Sequence, residues 1–445
     1  MRITNFIYLI LLVGAQTIAS PILLVDAYQS AIEFGMEFAV AKSKDNVIRE
    51  ETQQARALFY PKVSLLASYN YKEVDQSFTI VTNEPTRSSN LQAILKQPVY
   101  DRASWYRIDI AQEREFFSAD SLKFTQQEIA YVVSQAYFLQ AFNENALDAL
   151  TIEQKSFQVQ LEKIQKQHDK GLSSKLDFLN AQLDLNKSNS KVLQAKGDLK
   201  KSSLEFKRLI GKDLLPKFRD VSKSKYSSIL NTLFKFEQAL SNKEFWLKKA
   251  VGNYKVVQSA SKVKLAKYDK EVQKSDHYPS LSLDITSSRD EQYNNLSSDD
   301  EGVNVSLNFV MSLYNGGSVS SKVRSAQVKI QQAKQEYNSN LETAKVEIST
   351  VIDNLLHDQS YIESLRVEVQ SASELLDVTN KMHESGLQSL VDVRASEARL
   401  SLAKNSFLEV LYTAILHRLE LFKLTGELSI ENLIATDHIL NGAYY

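Results

Sequence analysis

Four anchors return along the chain at nearly one interval, close to half its length, and no other feature restricts the fold as much. Tyr60-Pro61 recurs as Tyr278-Pro279, Val99-Tyr100 as Leu313-Tyr314, and Gly171-Leu172 as Gly386-Leu387. Arg208-Leu-Ile-Gly211 returns at the same interval as Lys423-Leu-Thr-Gly426. Anchors held in register over such a distance mark an internal duplication. The first structural repeat is placed at 20–215 and the second at 243–426, with a linker at 216–242 and a C-terminal segment at 427–445. Both of these last segments are expected to be equatorial.

Each copy reads as a helix, a strand pair, a very long helix, a tight turn and a shorter helix. The chain has 12 Gly and 6 Pro among 445 residues, and so little punctuation means few, long elements. In copy two Val303, Val305, Leu307, Phe309, Met311 and Leu313 alternate with Asn304, Ser306 and Asn308, the period of a strand with one apolar face. Leu281, Leu283 and Ile285 mark its partner, while copy one shows Val63, Leu65, Ala67, Tyr69 and Tyr71 in alternation, with a partner near Leu91 to Val99. Strands are therefore predicted at about 62–74, 89–99, 280–289 and 302–313, joined in pairs by polar loops at about 72–90 and 287–302. Each has close to the ~9 to 11 residues that a tilted strand needs to cross a bilayer, and Tyr69 and Tyr71 suit an aromatic girdle.

The long helices are predicted at 103–170 and 318–385, each roughly 100 Å at ~1.5 Å per residue. Shorter helices at about 24–58 and 174–210, and at about 243–275 and 388–425, have about half that length, so two placed end to end match one long helix. Val323, Ala326, Ile330, Ala333, Tyr337, Leu341, Ala344, Ile348, Val351 and Leu355 step by threes and fours, which is a coiled-coil stripe. Pro61 and Pro279 lead into strands, and Tyr100 and Asn315-Gly316-Gly317 mark the joints from strand to long helix. Glycine tolerates the dihedrals that a sharp change of direction needs. The copy-one joint, Tyr100-Asp101-Arg102-Ala103-Ser104, has no glycine and is predicted to be tighter or differently turned.

Lys plus Arg (53) balances Asp plus Glu (54), so binding of nucleic acid by bulk charge is excluded. With no Cys the chain has no disulfide, thiolate metal site or lipidated N-terminal cysteine. The six His show no metal-ligand spacing, and GGSVSS lacks the Lys and the preceding Gly of a phosphate loop. No nucleophile, base and oxyanion set suggests itself, so the expectation is a protein without catalysis, cofactor or metal. Arg2 before the apolar run Phe6 to Val13, followed by small residues, reads as a signal peptide at 1–19. Four strands cannot close a barrel, and open edges are not tolerated in lipid. The chain must therefore oligomerise; two copies give eight strands filled by side chains, whereas three give twelve and leave room for a pore, which favours a homotrimer.

These residues resemble the TolC-type outer-membrane efflux proteins over about 22–430. The resemblance is carried by Ala55-Arg-Ala-Leu-Phe-Tyr-Pro61, by Leu91 to Trp105, by Leu313-Tyr-Asn-Gly-Gly317, and by the Gly171-Leu172 and Gly386-Leu387 turns. It implies a mostly α protein with a transmembrane β-barrel portion: a homotrimer with 4 strands per chain in a shared 12-strand barrel, continuing into a long α-helical periplasmic tunnel. It also implies an outer-membrane channel of a tripartite efflux or type I secretion system. Such a channel is a passive duct in outer-membrane lipid whose tip, here Gly171, Leu172, Ser173, Gly386 and Leu387, docks to a periplasmic adaptor and through it to an inner-membrane pump of RND, ABC or MFS type. The rivals are a periplasmic adaptor, expected to hold one helical hairpin rather than two, and an exported coiled-coil scaffold without a pore, which would not need one-sided strands.

The tip turns read KGLSSKLD from Lys170 to Asp177 and SGLQSLVD from Ser385 to Asp392. Ser174 with Asp177, and Ser389 with Asp392, resemble capping boxes in which Asp replaces Glu or Gln. The resemblance adds a pore role: the position matched by Asp392 forms an acidic ring in the family, with a second acid three residues on that is Ala395 here. It also places His383, Gln388 and Asp177 at positions of a tip latch, where His383 with Asp177 would respond to pH; a solvated His383 is the competing reading.

Overall fold

The computed structural model describes residues 21–73, 86–212, 215–216, 242–293 and 298–441. The signal segment at 1–19, nearly all of the linker expected at 216–242, most of the first strand-to-strand loop and residues 442–445 lie outside the described residues. In chain order the elements are β1 (Pro21–Ile22), α1 (Leu24–Phe34), α2 (Met36–Arg56), β2 (Lys62–Lys72), β3 (Thr86–Asp101), α3 (Arg102–Asp169), α4 (Lys175–Ile210) and β4 (Leu215–Pro216). There follow α5 (Lys243–Lys248), α6 (Tyr254–Ser275), β5 (Ser280–Tyr293), β6 (Ser298–Val310), α7 (Ser318–Glu384), α8 (Leu390–Leu424) and α9 (Ile430–Asn441).

Sequence periodicity predicts single helices over about 24–58 and 243–275, and the structure breaks both. Gly35 is extended at ψ 124°, and a Cβ there would lie 2.1 Å from the Ala31 carbonyl oxygen, so the break needs glycine. A 3₁₀ turn at Lys249–Gly252 interrupts the second helix before Asn253 caps α6 by accepting from the Lys255 N–H at 3.0 Å. The loop expected at 287–302 is likewise shorter than predicted, because β5 runs to Tyr293 and β6 starts at Ser298. Charge hides these strand ends from a periodicity reading, yet Arg289 pairs with Glu291 on its own strand and with Asp299 and Glu301 across the ladder. At its other end β6 stops at Val310, which faces Ser280 just after Pro279.

The chain forms two compact units that cut across the two sequence repeats. One takes Met1–Phe38, Thr125–Ala250 and Val346–Tyr445, the other Ala39–Phe124 and Val251–Lys345. Each unit thus draws matching stretches from both copies.

The second unit holds a four-stranded antiparallel sheet in the order β2-β3-β5-β6. Its register aligns the alternation of all four strands. Val63, Leu95, Ile285 and Val305 form one cross-strand row, and Leu65, Ala93, Ser287 and Val303 form the next on the same face. Lys62, Lys96, Asp284 and Ser306, then Ser64, Ile94, Thr286 and Asn304, make up rows of the opposite face. One face is therefore largely apolar and the other largely polar. The apolar face is uncovered in the chain, with Val63, Leu65, Val303, Val305, Leu307 and Phe309 each 62–73% exposed. Tyr71 and Tyr293 share a row at one end of that face, next to the row that holds Tyr69. Helical packing in this unit uses polar ties: Thr52 Oγ1 donates to the Ala111 carbonyl at 3.3 Å, and Ser261 donates to Glu113 at 3.1 Å.

The first unit is helical, and its core joins α1, α3, α4, α7, α8 and α9. Phe138 lies 5.4 Å from Tyr412 between ring centroids, and Tyr137 lies 5.9 Å from Phe206. Ile348, Val351 and Leu355, which belong to the predicted coiled-coil stripe, are buried here. Among the described residues no helix is long and apolar enough to cross a membrane.

Candidate functional site: the helical turns and the strand joints

The two tip turns are the same device built twice. At the first, the Leu172 N–H donates to Gln167 O at 2.8 Å around Gly171, which has φ +72°. At the second, the Leu387 N–H donates to Met382 O at 2.8 Å around Gly386, with φ +76°. These are the glycine-closed helix ends that satisfy otherwise orphaned carbonyls. Leu172 and Leu387 project from them, 75% and 73% exposed. Asp177 accepts from the Ser174 N–H at 3.1 Å and from its hydroxyl at 2.6 Å, while the Asp177 N–H donates back to Ser174 Oγ at 3.1 Å. Asp392 accepts from the Ser389 N–H at 3.0 Å and from its hydroxyl at 2.6 Å. Both carboxylates therefore start α4 and α8, where the helix dipole also favours an anion.

The serine donors hold both carboxyls below the ordinary aspartate value. A lowered value in the fold means stability that is present above the ordinary range and lost as pH falls through the lowered one. Acidification should therefore loosen the first turns of α4 and α8 before the rest of either helix. Amide hydrogen exchange at Ser174–Phe178 and Ser389–Val393 should speed up below the ordinary aspartate range, and a flat profile there would show that the boxes contribute nothing.

His383 and Asp177, expected as a latch, each have a partner inside their own hairpin. His383 Nδ1 lies 2.8 Å from the carbonyl oxygen of Gln388, and Asp177 is engaged by Ser174. Repeat register could have revealed a residue that motif reading missed: His168 is the copy-one counterpart of His383, each standing three residues before its turn glycine. The His168 Nδ1 meets the Ser173 carbonyl at 3.1 Å. Its ring stacks on Phe178 with centroids 5.8 Å apart. Lys163 was also missed. Its Nζ lies 3.5 Å from Ser389 Oγ, and its charge adds to the serine hydrogen bonds that lower the Asp392 carboxyl. No local sequence signal points to it, since the contact joins residues 226 apart. Ala395 is half-buried, and the nearby Glu397 is drawn to Arg394 at 2.6 Å.

The strand joints differ between the copies. In copy one β3 passes directly into α3 at Asp101–Arg102. The Asp101 carboxylate accepts from the Ala103 N–H at 3.0 Å and from the Ser104 hydroxyl, so a side chain does the capping. Tyr100 meets Trp105 edge-on at 5.1 Å, and Gln97 Nε2 donates to the Phe59 carbonyl close to Pro61 at 2.7 Å. The Arg102 guanidinium covers the Tyr278 ring before Pro279 at 4.1 Å. In copy two Asn315, Gly316 and Gly317 turn the chain, with φ +60° and +79° at the glycines, and the Ser318 N–H donates to Asn315 O at 3.0 Å.

A sheet apolar on one face, polar on the other and, among the described residues, unpaired at both edges is a share of a transmembrane β-barrel. Joined to two long helical hairpins, it defines the class of outer-membrane channel subunits. The comparisons with known proteins agree. The family model described as outer membrane efflux protein matches residues 27–212 and 248–427. The chain belongs to the outer membrane efflux protein family. It is 22% identical over 419 residues to the outer membrane protein TolC of Vibrio cholerae, covering 92% of each chain. It is 20% identical to the proteases secretion protein PrtF of Dickeya chrysanthemi, covering 92% of this chain and 89% of that one. Among solved structures, the CmeC outer membrane channel of Campylobacter jejuni superposes with a TM-score of 0.71 at 14% identity, covering 93% of this chain and 89% of that one.

Proposed function

We propose that the protein is the passive outer-membrane exit duct of a tripartite efflux or type I secretion machine. It works as a homotrimer in which each chain gives four strands to a twelve-stranded barrel, and its helical hairpins cross the periplasm to meet an adaptor coupled to an inner-membrane pump. The observation that carries this reading is the two-faced sheet with free edges at β2 and β6. Lipid would leave such edges unsatisfied unless neighbouring copies paired with them. Twelve strands leave an aqueous lumen where eight would be filled by side chains. TolC relatives and the secretion proteins PrtF and AprF support the two transport roles. In this reading the exposed turns at Leu172 and Leu387 face the adaptor, and Asp392 from three copies lines the narrow mouth, with Asp177, His383 and Gln388 nearby.

Purified protein in a planar bilayer tests this. Wild type is expected to give small cation-selective steps, and Asp392→Asn is expected to move the reversal potential toward zero under a salt gradient. Steps unaffected by the change would leave Asp392 as a helix cap alone. No steps from a folded, membrane-inserted trimer would favour a scaffold without a pore.

A further inference from the structure

The polar face of the four-stranded sheet sorts its charges by sign along the strands. Near the end where β3 passes into α3, one row of this face sets Lys62 of β2 directly opposite Lys96 of β3, with Asp284 of β5 next to Lys96. The two rows that follow on the same face carry no charge. In the row after them Asp290 of β5 stands directly opposite Asp300 of β6. Lys72 lies two rows farther on, as the last residue of β2.

Like charges set directly opposite one another on a sheet repel. The acid of the lysine row does not relieve the repulsion, because the Asp284 carboxylate accepts from Asn308 Nδ2 at 2.7 Å, and both lysines are exposed. Two lysines against one aspartate leave a net positive charge in that row. In the acidic row Asp290 is engaged by the neutral Asn90 amide, and Asp300 is exposed, so its negative charge also stands uncompensated. Asp284 and Asp290 mark the two rows on β5, about 20 Å apart along the strand. That is twice the Debye length of about 10 Å at 0.1 M salt, so neither row cancels the other.

We infer that the lysine row forms a basic belt inside the barrel that draws the anionic groups of passing solutes, and that the aspartate row forms a second belt that draws their cationic groups. A solute bearing both signs is then held with its cationic end toward the strand-to-strand loops. This rests on the barrel reading given above, in which the polar face lines the lumen.

The chain has no cysteine, so one introduced thiol reports the local potential. Ser64→Cys lies one row from the lysines and Ser68→Cys lies in the acidic row, both on β2. Each is labelled from outside intact cells with a methanethiosulfonate bearing a sulfonate and with one bearing a trimethylammonium. Each rate is divided by the rate with free cysteine. The ratio of anionic to cationic labelling is expected to be about five-fold higher at Ser64→Cys than at Ser68→Cys, and the difference should shrink in high salt. Lys62→Gln with Lys96→Gln should remove most of that difference, Lys62→Arg with Lys96→Arg should keep it, and Asp284→Asn should enlarge it. Lys96→Gln alone repeats the test with a smaller loss in case the double variant fails to assemble. Equal ratios at the two serine positions, or a difference that survives removal of both lysines, would overturn the belts while leaving the barrel standing. Val63→Cys, on the apolar face, is expected to resist both charged reagents. Labelling there as fast as at Ser64→Cys would overturn the barrel reading and the belts together.

Discussion

Replacing Val305 with arginine is expected to remove nearly all of the assembled membrane form, whereas the same change one residue earlier, at Asn304, is expected to leave assembly intact. Val305 sits in the row Val63, Leu95, Ile285 and Val305, a fully apolar row that spans all four strands. An arginine on the lipid face near the bilayer midplane costs about 2–4 kcal/mol. That cost falls on every copy of a closed assembly, so a trimer bears it three times over. Asn304 shares its row with Ser64, Ile94 and Thr286 on the opposite face, where an added charge meets water. The check is the yield of SDS-resistant oligomer from outer membranes, with single-channel selectivity measured for Asn304→Arg. Assembly of Val305→Arg at the wild-type level would mean that the faces have been assigned the wrong way round.

Asp437→Ala is expected to release helix α1 from the helical unit. The Asp437 carboxylate is buried and accepts from the Leu24 N–H at 3.0 Å and from the Val25 N–H at 2.9 Å, while residue 23, at the cap position itself, is a leucine without a capping side chain. A carboxylate from α9, at the far end of the sequence, therefore does the work of a local cap. Its loss leaves two amides without an acceptor where water has little access, at ~1–3 kcal/mol each. A total of about 2–6 kcal/mol should expose α1 to exchange and proteolysis while α3 and α8 stay protected. Asp437→Asn keeps one acceptor oxygen and should cost less than half as much. Wild-type protection of α1 in the alanine variant would show that apolar packing alone holds it. The pH response of this group runs opposite to that of the tip carboxylates. Burial outweighs the two amide donors and raises the Asp437 carboxyl above its ordinary value. Its protonation therefore favours the fold at low pH, a contribution lost as pH rises through the raised value.

Much of this architecture could be read from the residues, for a physical reason. Duplication ties distant positions together, and backbone conformation follows it. Among the left-handed glycines of the described residues, Gly171 pairs with Gly386 and Gly211 with Gly426 across the repeats, while Gly316 and Gly317 belong to the joint where the copies differ. Period-two alternation located the sheet because both of its faces must differ in lipid. It failed beyond Arg289, where strand pairing continues through charged residues that no apolar face requires. Single helices were overpredicted at Gly35 and Asn253 because amphipathic periodicity continues through a break that only backbone geometry imposes. At the candidate site the capping boxes were legible, being contacts between close neighbours in sequence. Lys163 with Ser389 and Asp437 with α1 were not, because nothing local in either partner announces a contact made through tertiary structure.

The unlike joints carry a consequence for how such a chain can change in length over time. In copy one β3 hands over to α3 between adjacent residues, with Asp101 acting as both strand end and helix cap. One inserted residue there would turn every face of α3 by ~100°. In copy two β6 ends at Val310 and α7 begins at Ser318, and the intervening residues include two glycines free to redirect the chain. Insertions and deletions among homologous sequences should therefore collect between 311 and 317 and be nearly absent at 101–102, so that one duplicate serves as a fixed ruler and the other as the place where length drifts.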